Sequence, residues 1–227
     1  MSNTVNLKYN TENSLWYKVD EEIPYTGEVL QYHRNGQEDS KTRFSGGKID
    51  GVTICWYDDG TKKSEVNFSN GQRDGVSTFW DRDSKVRTKA LYSKGKLSLA
   101  NSWDTDGNEK DPLIEFYYES REAKSVLIVG EFTNWEENPI RMDKVDDTLW
   151  FKRVILPKGQ YQYRYKIDGQ WESDPFCERK VDDESGTENC VAIFSSIEDL
   201  SQDVLKKNIT QEENNPPKNP EWFAASI

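Results

Sequence analysis

The sequence predicts an all-β protein: a repeat β-meander of stacked hairpins followed by an immunoglobulin-like β-sandwich, with a short C-terminal helix and an extended tail. Three observations predict it. Residues 25–108 repeat at a fixed step, residues 113–194 contain short strands bounded by Gly, Pro, Asn or Asp, and the chain then turns to helix-capping and proline-rich composition. The expected boundaries are 1–110 for the repeat sheet, 111–196 for the sandwich and 197–227 for helix and tail.

In the first part, Phe44, Phe68 and Tyr92 recur every 24 residues, as do Gly47, Gly71 and Gly95. Tyr32, Trp56 and Trp80 keep the same step, and Trp103 follows one residue early. Asn35-Gly36, Asp59-Gly60 and Asp106-Gly107 mark one turn of each unit, with Asp83-Ser84 as a degenerate copy. Such pairs supply the positive φ that tight hairpins require, and the Gly-Lys-Ile-Asp-Gly and Gly-Gln-Arg-Asp-Gly segments form a second, wider turn. Each unit is therefore two strands, and stacked units contact mainly their neighbours. The repeated aromatics are expected to pack one layer on the next. These residues resemble the MORN-type repeats of the bacterial toxin–antitoxin "antitoxin component" family, a likeness that covers about residues 25–108 and implies a fold and no defined chemistry.

After the polar joint Asp104–Pro112 the period stops. Leu113–Tyr118, Ser125–Gly130, Leu149–Leu156, Gln160–Ile167 and Asn189–Phe194 read as strands. In the fourth, Tyr161, Tyr163, Tyr165 and Ile167 share one face, and Gln160, Gln162, Arg164 and Lys166 the other. Several short antiparallel strands in one segment argue for a sandwich. Trp135 and Trp171 stand in the polar turns Gly130-Glu131-Phe132-Thr133-Asn134-Trp135 and Ile167-Asp168-Gly169-Gln170-Trp171. A large indole in such a place either folds back onto the core or offers its face to a ligand.

The Val126–Trp135 stretch, then Leu156–Trp171, then Asp174-Pro175 resemble the glycogen-binding domain of AMP-activated kinase β subunits, and more broadly the family-48 carbohydrate-binding modules. The likeness runs from about residue 123 to 194. It implies an α-1,4-glucan ligand, with Trp135 and Trp171 stacking on glucose, Arg164 in place of the usual lysine holding hydroxyls, and Thr187 and Asn189 as further contacts. The physics of each role agrees: a planar guanidinium offers several donors to hydroxyl pairs, and an amide both donates and accepts. Ser185 stands where the kinase module inserts a leucine between sugars, which predicts lower affinity.

Ser195–Lys207 opens with hydroxyl caps, carries acids in its first turn and lysines in its last, and spaces Ile197, Leu200, Val204 and Leu205 as a narrow apolar stripe. The proline-rich stretch Asn214–Pro220 then leads to Trp222 and Phe223, which either anchor a partner or tuck back on this chain.

Bulk composition narrows the classes. The net charge of -11, from 41 acidic and 30 basic residues without a basic block, argues against nucleic acid and anionic membranes. No stretch approaches a membrane span, and the polar amino terminus predicts a cytoplasmic protein. Cys55, Cys177 and Cys190 lack metal-ligand spacing and are expected as reduced thiols. The single histidine, His33, has no nucleophile near it in sequence, so neither metal, cofactor nor catalysis is expected. The expectation is a non-catalytic α-glucan-binding protein whose repeat sheet or tail holds a protein partner. The alternative is a protein-interaction adaptor whose module binds no sugar.

Overall fold

The computed structural model describes residues 5–177, 179–183 and 186–199. Nearly every element in it is an antiparallel strand. Trp222 and Phe223, Ser185, and the tail after Asp199 lie outside the described residues.

Repeat units fold as the spacing dictates. Strands Gly27–Tyr32 and Glu38–Ser45, Gly51–Trp56 and Lys62–Ser69, and Gly75–Trp80 and Val86–Ser93 form three successive hairpins. At the tight turns Gly36, Gly60 and Gly107 have φ of 86°, 84° and 89°, and Ser84, the degenerate copy, is forced to 60°. At the wide turns the N–H groups of Gly47, Gly71 and Gly95 each donate to a carbonyl of the previous unit, those of Tyr25, Ile49 and Arg73, at 2.8 Å. Side chains repeat the stitch: the Tyr57 hydroxyl donates to the Trp80 carbonyl at 2.9 Å, and the Asn35 amide to the Asp58 carbonyl at 2.5 Å. The single histidine belongs to this lattice, its Nε2 lying 3.0 Å from the Trp56 carbonyl and 3.4 Å from Asp39 Oδ1.

Packing between layers is uneven. Phe44 is buried, whereas Phe68 and Tyr92 are half-buried and Tyr32 is exposed. The difference arises from a hairpin absent from the sequence reading, Leu7–Asn10 with Leu15–Lys18, whose Trp16 closes the first unit. The Trp16 ring lies 6.1 Å from Phe44, and Tyr25, Val29 and Phe44 form a small core there.

The polar joint at Asp104–Pro112 connects strands and does not interrupt the sheet. Ala100 opposes Leu113, so Lys96–Ser102 pairs with Leu113–Glu119, and one sheet of twelve strands runs from the first repeat into the sandwich. Leu113–Glu119 and Leu149–Ile155 are thus both the end of the repeat sheet and one wall of the sandwich. The opposite wall has six strands, with Val126–Gly130, Gly159–Ile167 and Glu188–Phe194 at its centre. Phe116, Trp150, Val126, Ile128, Tyr165 and Phe194 fill the space between the walls.

The predicted alternation along Gly159–Ile167 holds, since Tyr163, Tyr165 and Ile167 are buried in that core. Inside it the Asp174 carboxylate accepts from both Tyr163, at 2.6 Å, and Tyr165, at 3.0 Å, which pins the loop after Glu172 to the sheet. Burial holds both phenols well above the usual tyrosine range, and the Asp174 charge adds to it. All three cysteines are free thiols.

After Phe194 the chain crosses to the repeat sheet. Asn101, fully buried, donates from Nδ2 to the Ser195 carbonyl at 3.0 Å and accepts the Ile197 N–H on Oδ1 at 2.9 Å. Residues 197–199 are helical, capped by Ser196 Oγ, which accepts the Asp199 N–H at 3.2 Å.

Candidate functional site

The outer face of the six-stranded sheet carries the site. Because Tyr163 and Tyr165 point inward, Gln162, Arg164 and Lys166 point outward. Register then assembles neighbours on that face: Lys166 opposes Trp171 on one side, and Gln162 opposes Val191, two residues from Asn189, on the other.

Trp171 is presented by a two-residue hairpin. Asp168 and Gly169 have φ of 47° and 89°, the pattern that matches strand twist. The Asp168 carboxylate accepts N–H bonds from Ser125 at 2.7 Å and Lys124 at 3.0 Å, so the turn is fastened to the neighbouring loop.

Trp135 is presented by a strained one. Asn134 and Trp135 both have positive φ, 48° and 56°, which is a genuine outlier for a side chain this large. Thr133, 2% exposed, enforces it. Its hydroxyl accepts the Gly130 N–H at 2.9 Å and has its proton within reach of the Gly130 and Trp135 carbonyls, at 2.9 and 2.7 Å. The Trp135 N–H returns to the Gly130 carbonyl at 2.8 Å. A side chain at Gly130 is excluded, since a Cβ there would lie 2.4 Å from the Gln162 carbonyl oxygen.

The two rings are neighbours, with centroids 6.4 Å apart and planes at 61°. They form a corner, one wall half-buried Trp135 and the other Trp171, which is 38% exposed. Trp171 is flanked by two cations. The Arg164 guanidinium lies 5.3 Å and the Lys166 ammonium 5.4 Å from its ring centre. Lys166 also pairs with Glu136 at 3.0 Å, tying the strand to the loop that carries Trp135. Arg164 makes no ion pair among the described residues, and its Nε is buried without a hydrogen-bond partner there.

Of the five residues expected at a sugar site, Trp135, Trp171 and Arg164 meet through ring contacts and Asn189 through its bond to Gln162, while Thr187 stands two residues before Asn189. Asn189 is nearly buried, and its amide donates to Gln162 Oε1 at 3.0 Å. Thr187, half-buried, precedes the last strand, and its N–H is held by the Asp183 carboxylate at 2.8 Å. Sequence reasoning passed over Gln162, Lys166 and Glu136. The alternation of the tyrosine strand was enough to place Gln162 and Lys166 outward, but nothing in the spacing brings Glu136 to Lys166.

Residues 114–199 match the family described as the glycogen recognition site of AMP-activated protein kinase. The match takes in both indole turns and the whole six-stranded wall. Individual relatives agree with it. Phosphoglucan phosphatase LSF1, chloroplastic, of Arabidopsis thaliana is 32% identical over 81 residues, 35% of this chain and 14% of that protein. The 5'-AMP-activated protein kinase subunit beta-1 of Rattus norvegicus is 29% identical over 131 residues, 54% of this chain and 47% of the subunit. Protein PTST homolog 2, chloroplastic, of Arabidopsis thaliana is 32% identical over 73 residues, 32% of this chain and 13% of its own length. The chain therefore spans less than half the length of each of these three. Among the described residues no helix is long and apolar enough to cross a membrane.

Proposed function

We propose that this protein binds an α-glucan without transforming it, through the Trp135–Trp171 corner, with the repeat sheet as a platform for a protein partner. The observation that carries the reading is the pair of indoles brought to 6.4 Å on one outward sheet face, one of them held there in a strained backbone. Strain of that kind persists where the surroundings over-determine it, and it concentrates at binding sites. An open corner suits a chain that passes across the surface, and the apolar face of a pyranose matches an indole. Arg164 supplies hydroxyl donors beside Trp171, and Asn189, with Thr187 next to it, bounds the far side.

The family match and the relatives support the ligand class. The module of 111–196 is taken as the sugar-binding unit and 1–110 as the partner platform, whose units resemble MORN-type repeats. The reading without a catalytic role is supported by the kind of family matched, a glycogen recognition site.

Affinity electrophoresis in glycogen-containing gel tests this. The wild-type chain is expected to be retarded, and a Trp135→Ala, Trp171→Ala double variant is not. Unretarded wild type defeats the sugar reading and leaves the adaptor, in which the fold is kept for protein contact alone.

A further inference from the structure

Asn189 is the asparagine that the resemblance places against the sugar, yet it is only 3% exposed. It stands on the outward face of Glu188–Phe194, because Cys190, Ala192 and Phe194 of the same strand fill the core. Neighbours cover it there. Val181 lies directly opposite on the edge strand, and on the other side the Asn189 amide donates to Gln162 Oε1 at 3.0 Å. The donor end of the asparagine is thus committed within the protein.

Gln162 is half-buried and more accessible than Asn189. Both its main chain and its side chain are fixed: its N–H donates to the Glu131 carboxylate at 2.7 Å, and its Oε1 accepts from Asn189. A carboxamide has one accepting end and one donating end. Once Asn189 holds the oxygen, the nitrogen is turned away from Asn189, and Gln162 Nε2 has no hydrogen-bond partner among the described residues. On the same face, two residues and about 7 Å further along the strand, Arg164 carries its guanidinium 5.3 Å from the Trp171 ring centre, with no ion pair among the described residues. Two sets of unspent donors therefore stand side by side next to the indole corner.

We propose that Gln162 is a direct contact to the glucan, donating from Nε2 to a hydroxyl oxygen, and that Asn189 is a positioning residue which acts through Gln162. The inference rests on the sugar reading of the Trp135–Trp171 corner. It changes what that site recognises. With Gln162 Nε2 beside the Arg164 guanidinium, the strand offers donors alone, so the sugar oxygens that meet it must accept, while the indoles take the apolar ring faces. Fixing the glutamine at its backbone and at its oxygen before the ligand arrives lowers the ordering cost of that contact.

A double-mutant cycle on the full chain tests this, with dissociation constants taken from retardation over a series of glycogen concentrations. Gln162→Ala and Asn189→Ala are each expected to weaken binding about fivefold, the effect of one lost hydrogen bond. In the Gln162→Ala background, Asn189→Ala is expected to weaken it no further than about twofold, because the two act as one unit. An undiminished loss in that background overturns the proposal by making Asn189 a contact in its own right, and native affinity in Gln162→Ala overturns it as well. Should Asn189→Ala fail to fold, Gln162→Glu decides: its carboxylate still accepts from Asn189 but has no N–H to donate. Binding about fivefold weaker supports the direct contact, and native binding removes it. Unretarded wild type defeats the sugar reading and this inference with it, whereas retarded wild type with additive losses defeats this inference alone.

Discussion

Trp135 pays for its position in backbone conformation. A left-handed residue costs about 1–2 kcal/mol when it carries a Cβ, so the loop stands only because Thr133 and Gly130 over-determine it. Thr133→Val keeps the shape and deletes the hydroxyl, leaving the buried Gly130 N–H without an acceptor. The expected loss is about 1–3 kcal/mol, read from urea denaturation, together with weaker retardation in glycogen gel; Thr133→Ser restores most of both. Gly130→Ala is harsher, because the obstructing atom is a carbonyl oxygen of a central strand that cannot swing aside. It is expected to cost about 1–3 kcal/mol from overpacking and to shift the tryptophan fluorescence, whereas an unchanged spectrum and midpoint would show that the loop accommodates a methyl. Both indoles were legible from their polar turns, and Gly130 was visible as the first residue of the motif. The threonine's role was not, because a hydroxyl two residues from a tryptophan says nothing about which carbonyls it meets.

At the scale of elements, the repeat turns show how far spacing alone reaches. The step of 24 fixed the hairpins, their glycines and the degenerate turn, all from local φ requirements. Ser84 at φ 60° occupies a position where its equivalents are glycine, so Ser84→Gly is expected to stabilise the chain by about 1 kcal/mol, and Gly60→Ala to destabilise it by a similar amount. Thermal melts of the two variants moving in the same direction would refute the equivalence. The capping hairpin Leu7–Lys18 was not legible, since it falls outside the period and its value lies in covering Phe44. In the sandwich, burial, aided by the hydrogen bond that the Cys190 thiol donates to Cys177, pushes Cys190 from 9.0 up to about 12, and burial, aided by Glu172, pushes Tyr118 from 10.0 up to about 12. Both groups keep their protons in the folded state at a pH where the unfolded chain releases them. Their contribution is therefore complete below pH 9 and is lost as pH climbs toward 12. Denaturant midpoints are expected to be flat from neutrality to pH 9 and to fall beyond it, and Cys190→Ala, assessed against its own neutral-pH midpoint, to blunt the first part of that fall.

For the whole molecule, the sheet that passes from repeats into sandwich makes mechanical coupling the central issue. The ladder that sets Ala100 opposite Leu113 and the buried side chain of Asn101 join the two regions, and the Lys89–Glu198, Lys96–Glu119 and Lys158–Glu109 ion pairs flank them. Asn101→Ala deletes the hydrogen bonds to the Ser195 carbonyl and from the Ile197 N–H, at about 1–3 kcal/mol for each. Calorimetry is expected to show one transition for the wild type and two for this variant, and a single transition in both would mean that the ladder suffices. The sequence divided the chain at its polar joint because composition changes there. Continuity of the sheet was invisible because it depends on strand register, which composition does not report.

That register survives a missing residue. Ser40 opposes Cys55 and Ser64 opposes Phe79, so the period would set Thr88 against Trp103; instead Thr88 meets Ser102. A slip of one residue exchanges the two faces of a strand. Here the lost residue is absorbed at the wide turn, where the ladder shifts between Leu91 and Tyr92, so Asn101, two residues before Trp103, opposes Lys89 as Thr78, two before Trp80, opposes Glu65, and the faces are kept. The array therefore ends by changing one side chain: where earlier units place Leu30, Ile54 and Thr78, the last places an amide that grips the returning chain.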